Sequence, residues 1–171
     1  MGDIVRLFTQ IALLRRGPQD LPASMLLLVL TVGGYVCVNL LLCSLLPPNT
    51  GWLAQLALDV LFTLVWYFAL LRLAGRAERF LQTTTAVFGF QAVLSPPLIA
   101  AAWLWRRYWQ DTTWQLPIAA LGVVLLVWLI AANSRVVKAA LEWPSAASVA
   151  LVIAQIAVGQ WLVLALLPTA S

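Results

Sequence analysis

The strongest candidates for a functional site in this sequence, by residue type and spacing, are Gln55, Asp59 and Thr63. They are four residues apart, so in a helix they lie on one face. Asp59 is also the only carboxylate deep inside an apolar segment. Hydrocarbon does not solvate such side chains, so we predict that this face looks inward or towards water.

Asp59 has two interpretations. As an intramembrane acid it is a candidate proton- or cation-binding group. Alternatively it is structural, and pairs with Arg106 or Arg107 or bonds to a Gln or Asn of another helix. Proton relays in membranes use chains of ionisable groups. No second carboxylate lies at comparable depth, which favours the structural role.

A second candidate is the run Ser95, Pro96 and Pro97 inside an otherwise apolar segment. Two prolines remove two backbone donors and clash with the preceding turn, so the sequence predicts a kink or break there. A broken helix exposes carbonyl and amide groups at membrane depth, and transporters use such ends as binding sites. Proline kinks also occur without any ligand, and we keep both interpretations.

The remaining polar residues of the apolar segments are interpreted as interhelical hydrogen-bonding groups, each worth about 0.6 kcal/mol. They are Asn39, Gln91, Gln155 and Gln160. The chain has no histidine, and Cys37 and Cys43 are six residues apart, which places them on different faces of a helix. Nucleophile, phosphate-loop and zinc motifs are missing as well. We therefore predict no catalytic residue, no metal, no cofactor and no enzymatic activity.

The hydrophobic and charged fractions of the sequence indicate which kind of structure positions these residues. The 171-residue chain is 63% hydrophobic and only 9% charged, whereas soluble domains carry about a quarter charged residues. We predict an all-α, polytopic membrane protein that forms one domain over residues 1–171. Its five transmembrane helices are predicted at residues 22–46, 52–74, 80–105, 116–132 and 146–167. The short link after the first predicts that the first two are antiparallel neighbours.

The N-terminal residues 1–20 have a different pattern. Ile4, Leu7, Phe8, Ile11 and Leu14 recur at three- and four-residue steps, which is typical of one apolar helical face. We predict a cytoplasmic amphipathic helix in the membrane interface; a frayed tail is the alternative.

Basic residues indicate the orientation. Eight of the ten lie on one side of the predicted spans, and only Arg106 and Arg107 lie on the other. The positive-inside rule then predicts a cytoplasmic N-terminus and a periplasmic C-terminus in a bacterial inner membrane. The net charge is +4, and the basic residues lie beside the predicted spans. We therefore expect the protein to contact lipid headgroups and not nucleic acid. We predict that five arginines contact lipid headgroups or a partner protein: Arg72, Arg76, Arg79, Arg106 and Arg107.

Two stretches resemble a known family: IALLRRGPQDLPAS at residues 11–24 and RAERFLQTTTAVFG at 76–89. With five spans, the chain resembles small bacterial membrane proteins related to the Yip family, whose eukaryotic members are Rab-interacting proteins of the secretory pathway. The resemblance implies a five-helix bundle without enzymatic activity that acts as a scaffold or trafficking adaptor. This chain departs from the eukaryotic members by lacking their long polar N-terminal domain, so the resemblance does not carry over a Rab-type partner or any functional residue.

Together these patterns favour a non-catalytic accessory or scaffold protein that packs against other membrane subunits or a second copy of itself. The alternative is a small transporter or channel built around Asp59 and the Pro96–Pro97 break. A lipid-modifying enzyme is a weaker third possibility, because the chain lacks histidine and has a single deep acid.

Overall fold

The protein is an assembly of long helices. The computed structural model describes residues 8–10, 19, 21–43 and 51–167, and all regular structure in these residues is helical. The long helices are α1 (Met25–Cys43), α2 (Trp52–Leu73), α3 (Phe80–Arg107), α4 (Thr112–Leu141) and α5 (Ser145–Leu166). The 3-10 turn Ala77–Arg79 leads into α3.

Helices α2 to α5 are long and apolar enough to cross a membrane. Their outward side chains agree with this, since Leu116 is 79% exposed and Leu61 is 61% exposed. A soluble protein rarely leaves so much contiguous apolar surface in water. The predicted all-α class is confirmed. Helix α1 is apolar but shorter, at 19 residues, so the fifth crossing stays a prediction.

The direction of the helices follows from the hydrogen bonds between them. The Gln82 side-chain amide donates to the carbonyl of Leu21 at 2.8 Å, and Asn39 donates to Ser95 Oγ at 3.3 Å. Leu21 precedes Asn39 in the sequence, and their partners Gln82 and Ser95 follow in the same order. Helices α1 and α3 are therefore parallel. Helix α1 packs mainly against α3 and touches the antiparallel α2 much less. The predicted close pairing of the first two spans is therefore only a minor contact.

The bundle has two chemically different ends. We call one the basic end; it carries Arg72, Arg76, Arg79, Arg135 and Lys138. We call the other the tryptophan-rich end; it carries Trp52, Trp103, Trp105, Trp109 and Trp114. The fully buried side chains of Leu71, Val136 and Val137 lie within two turns of the basic end, so the tightest packing is there.

Helix α4 differs from its predicted bounds. It runs from Thr112 to Leu141, whereas the sequence predicted 116–132. Asp111 caps its start, because one carboxylate oxygen accepts from the Thr113 amide at 3.0 Å. The predicted end was set by the polar residues after Ala132, but an apolar face continues through Val137 and stays buried. The helix therefore persists until Glu142, which adopts a left-handed conformation with φ of 57°.

Helix α3 continues through Ser95, Pro96 and Pro97 without interruption. The predicted break is therefore replaced by one continuous helix, and a kink stays a prediction. Both prolines are exposed, so their rings face outward instead of into the packed interior. Ser95 Oγ donates to the carbonyl of Gln91 at 2.8 Å, one turn earlier, which gives this stretch a side-chain hydrogen bond.

Only a short part of the predicted N-terminal helix lies among the described residues. Residues 8–10 are helical, and the rest of the prediction for 1–20 falls outside them apart from residue 19. Phe8 is buried, and a methyl group at Gly89 of α3 would overlap its ring. This part of the N-terminal segment therefore packs onto the bundle.

Candidate functional site

A cavity of about 420 Å³ lies among the helices, and all five contribute polar side chains to a wall that also contains many apolar ones. This volume is within the range of about 300–1,000 Å³ that is typical of small-molecule sites. The polar side chains that line it are Tyr35, Asn39, Gln55, Asp59, Thr63, Gln91, Asn133, Gln155 and Gln160. The cavity reaches the tryptophan-rich end, because Trp52 begins α2 and Val163 lies in the last turn of α5.

Helix α2 forms one wall through the stripe singled out in the sequence. Gln55, Asp59 and Thr63 all line the cavity. Their four-residue spacing keeps them on one face over two helical turns. The side chains next to this stripe that face away from the cavity include Leu61 and Val65, which are strongly exposed. Helix α2 therefore directs its polar stripe towards the cavity and leaves only apolar side chains, such as Leu61 and Val65, on the exposed side next to it.

Asp59 is held by a tyrosine and not by an arginine. The Tyr35 hydroxyl of α1 donates to Asp59 Oδ2 at 2.8 Å. The Tyr35 ring in turn packs on Phe88 of α3, with ring centroids 5.5 Å apart. Neither Arg106 nor Arg107 pairs with Asp59, although the sequence made them candidates. The carboxylate therefore faces a neutral donor at the cavity wall.

Helices α1 and α3 meet through a short polar chain. The Asn39 amide donates to the backbone carbonyl of Tyr35 at 2.8 Å and to Ser95 Oγ at 3.3 Å. Gln91 also lines the cavity, and its buried side-chain oxygen has no donor among the described residues. A buried oxygen without a donor calls for a water, an ion or a ligand. The amides interpreted from the sequence as separate structural groups thus share one site.

A hydrogen-bonded layer closes the cavity towards the basic end. The fully buried Tyr67 hydroxyl lies 2.7 Å from Asn133 Oδ1 and 3.0 Å from Gln155 Oε1. Asn133 and Gln155 line the cavity, whereas Tyr67 lies behind them. The layer joins α2, α4 and α5 at one level.

Sequence reasoning missed Tyr35, Tyr67 and Asn133. Signals for the tyrosines were present: Tyr67 extends the four-residue stripe by one more step beyond Thr63, and Tyr35 lies one turn before Asn39. Asn133 was missed because it was placed after the end of its span.

The predicted arginines at the basic end have protein partners. Arg76 and Arg79 bind the two carboxylate oxygens of Glu142 at 2.7 and 2.8 Å. Arg79 also donates to the carbonyls of Ala139 and Ala140, at 3.1 and 3.2 Å, at the end of α4. Hydrogen bonds from the two guanidinium groups lower the pKa of Glu142 to about 2, and the same contact raises the pKa of Arg76.

The other predicted headgroup contacts are open to the surroundings. Arg72 is exposed, and its guanidinium lies 5.9 Å from the centroid of the Phe68 ring. Arg106 and Arg107 are exposed at the tryptophan-rich end. Contact of these arginines with lipid headgroups stays a prediction.

A second, apolar groove of about 210 Å³ lies between α3 and α4. Small residues form much of its wall, namely Ala101, Ala102, Ala119 and Gly122. Small residues let a further helix approach closely within a membrane.

The chain matches no family model, no curated protein and no solved structure. The resemblance to the Yip family therefore stays a prediction.

Proposed function

We propose that this chain is a small, non-catalytic membrane carrier that binds a polar solute in the cavity beside Asp59. The observation behind the proposal is that polar side chains from all five helices surround one cavity. Structural amides in membranes usually pair with one another and close the space between helices. Here a space remains between the helices, and within a hydrocarbon environment the polar groups along its wall need water or a solute as a partner.

A carrier is favoured over an open channel. The cavity reaches the tryptophan-rich end, but the Tyr67, Asn133 and Gln155 layer lies across its other side. Beyond that layer, Leu71 and Val137 are fully buried. Carriers expose a central site to one side of the membrane at a time, and this arrangement fits a state open towards the tryptophan-rich end.

The proposed topology has five crossings. Helix α1 has 19 residues, which at 1.5 Å each span about 28 Å, close to a hydrocarbon core of about 30 Å. The clustering of cationic residues supports a cytoplasmic basic end. The N-terminus is then cytoplasmic and the C-terminus periplasmic, in a bacterial inner membrane. Membership of the Yip-like bacterial proteins is part of the same proposal.

Water access to the cavity can be tested with two cysteines on α5. Ile156 and Val158 are exposed to nearly the same extent, 38% and 37%, but only Ile156 lines the cavity. Each is changed to cysteine in a background in which Cys37 and Cys43 are serine, and membranes are treated with N-ethylmaleimide. Thiols react as thiolates, which form in water and not in lipid.

We expect Ile156→Cys to be labelled and Val158→Cys to stay unlabelled. After solubilisation in denaturing detergent both should react, which controls for expression. Equal and slow reaction of the two cysteines in membranes would contradict a water-filled cavity and the proposed function with it.

A second function, the scaffold favoured by the sequence, is supported by the apolar groove between α3 and α4. Its occupant would be a transmembrane helix of another subunit, seated against Ala101, Ala119 and Gly122. Purification in mild detergent should then yield a stoichiometric complex, and Gly122→Leu, which fills the groove, should lose the partner. A monomer from native membranes, unchanged by this substitution, would contradict the scaffold function.

A further inference from the structure

We propose that the solute is a small organic cation, such as an amine or a quaternary ammonium compound. The inference rests on the proposed solute-binding function and specifies its ligand. It is drawn from the charge, the aromatic side chains and the unpaired acceptors of the cavity wall.

The charge of the wall selects a cation. Among the described residues that line the cavity, Asp59 is the only charged one. The described basic side chains lie towards the ends of the helices or in the links between them. In a low-dielectric environment an uncompensated carboxylate strongly attracts a positive partner and repels an anion. A cation in the cavity would give Asp59 the partner that no arginine supplies.

The carboxylate has room for that partner. Tyr35 donates to Oδ2 of Asp59, and the structure shows no donor to Oδ1 among the described residues. One oxygen is thus fixed in position by the tyrosine, and the other can accept a ligand N–H or face a quaternary nitrogen. Fixing the carboxylate in advance reduces the side-chain ordering needed when the ligand binds.

Aromatic rings make the cation an organic one. Tyr35, Trp52 and Phe62 line the same cavity as Asp59. Ring faces attract ammonium groups, and aromatic walls recur in sites for quaternary ammonium ligands. A small metal ion instead needs several oxygen ligands at about 2.0–2.6 Å, and the described residues bring no group of three Asp, Glu, His or Cys side chains together.

The amides supply the remaining contacts. Gln91 has a buried side-chain oxygen without a donor among the described residues, and Asn39 of α1 lines the same cavity. An amine or a hydroxyl on the cation would provide donors for such acceptors, directly or through water.

Protection of the Ile156→Cys thiol tests this inference. N-ethylmaleimide is uncharged, so its own access does not depend on Asp59. Labelling is followed in membranes with choline, with sodium chloride at the same ionic strength, and with 3,3-dimethylbutan-1-ol. This alcohol has the shape of choline with carbon in place of the charged nitrogen. The series is repeated with Asp59→Asn.

We expect choline to slow labelling, and sodium and the neutral alcohol to have little effect. In Asp59→Asn the thiol should still react, but about tenfold more choline should be needed for the same protection, because a charge-assisted contact is lost. Labelling without protection by choline, equal protection by the alcohol, or protection that survives Asp59→Asn unchanged would overturn the organic-cation inference alone. Failure of Ile156→Cys to react at all would instead overturn the proposed function.

Discussion

At the scale of single residues, Tyr67 shows how few hydrogen bonds hold the helices at the closed side of the cavity. One hydroxyl lies within 3.0 Å of two amide oxygens, from Asn133 and Gln155. The three side chains come from three helices, and all three are buried. Loss of the tyrosine hydroxyl therefore leaves a buried amide oxygen without this donor.

Tyr67→Phe should lower the free energy of unfolding by about 1 kcal/mol, the scale of one interhelical hydrogen bond in a membrane protein. The measurement is unfolding of the purified protein as SDS is added to mild detergent. Tyr108→Phe is the matched control, because Tyr108 is exposed and packs its ring against Trp114. Equal effects of the two substitutions would contradict a special role for the Tyr67 hydroxyl.

Some of this residue chemistry was visible in the sequence. The inward stripe of Gln55, Asp59 and Thr63 could be predicted because helical periodicity and the cost of burying polar groups act locally. The partner of Asp59 could not, because the register between α1 and α2 depends on how both helices pack on α3. For the same reason the amides were interpreted as separate structural groups, and only the fold places them around one cavity.

At the scale of helices, the bundle is organised around α3. Helix α1 packs mainly on α3, and α4 also packs closely on α3. Helix α2 touches its neighbours much less. The cavity lies where α2 faces α1 and α5, whose residues line it together with those of α3 and α4. The helices themselves could be predicted from hydropathy, but this order of packing could not, because short links allow several arrangements. The length of α4 was underestimated for a related reason: one face of its C-terminal turns, which includes Asn133, Val136 and Val137, is buried, although Arg135 and Lys138 are exposed.

Gly89 is a position of α3 that has no room for a larger side chain. A methyl group there would overlap the Phe8 ring, whereas one at Gly122 has no atom within 4 Å. Gly89→Ala should therefore destabilise the protein by about 1–3 kcal/mol through overpacking. Gly122→Ala should be neutral or stabilising by up to about 1 kcal/mol, because alanine favours helix.

The same SDS unfolding assay compares the two glycine variants. If Phe8 causes the loss, Phe8→Ala combined with Gly89→Ala should cost less than the sum of the two single changes. Additive losses would show that Gly89 and Phe8 do not meet.

The ion pairs at the basic end tie the link before α3 to the end of α4. Because pairing lowers the pKa of Glu142 from 4.5 to about 2, the folded protein loses this proton more readily than the unfolded chain does. The contribution to stability is therefore fully present above the ordinary glutamate pKa and is lost as the pH falls through about 2. The effect should be modest, since the Glu142 side chain is 56% exposed.

Glu142→Gln should accordingly lower the thermal unfolding midpoint at about pH 7, and the difference from the unsubstituted protein should shrink towards about pH 3. Glu78→Gln makes the same charge change at an exposed residue that forms no salt bridge among the described residues. It should have the smaller effect at about pH 7. A difference for Glu142→Gln that grows as the solution is acidified would contradict the ion-pair account.

At the scale of the whole molecule, the two ends of the bundle differ in their packing and in their access to the cavity. The basic end is tightly packed and held by Arg76, Arg79 and Glu142. The tryptophan-rich end contains the mouth of the cavity. This asymmetry, with most of the basic residues at the closed end and access at the other, becomes visible only once the helices are assembled. It also makes the proposed orientation and the proposed function depend on each other.

Sidedness of labelling in intact cells therefore tests the account most directly. With a membrane-impermeant maleimide added outside, Ile156→Cys in the cavity should react. Ala77→Cys, in the exposed link at the basic end, should react only after the cells are made permeable. Labelling of Ala77→Cys in intact cells, with Ile156→Cys protected until permeabilisation, would contradict the proposed orientation and the outward opening of the cavity.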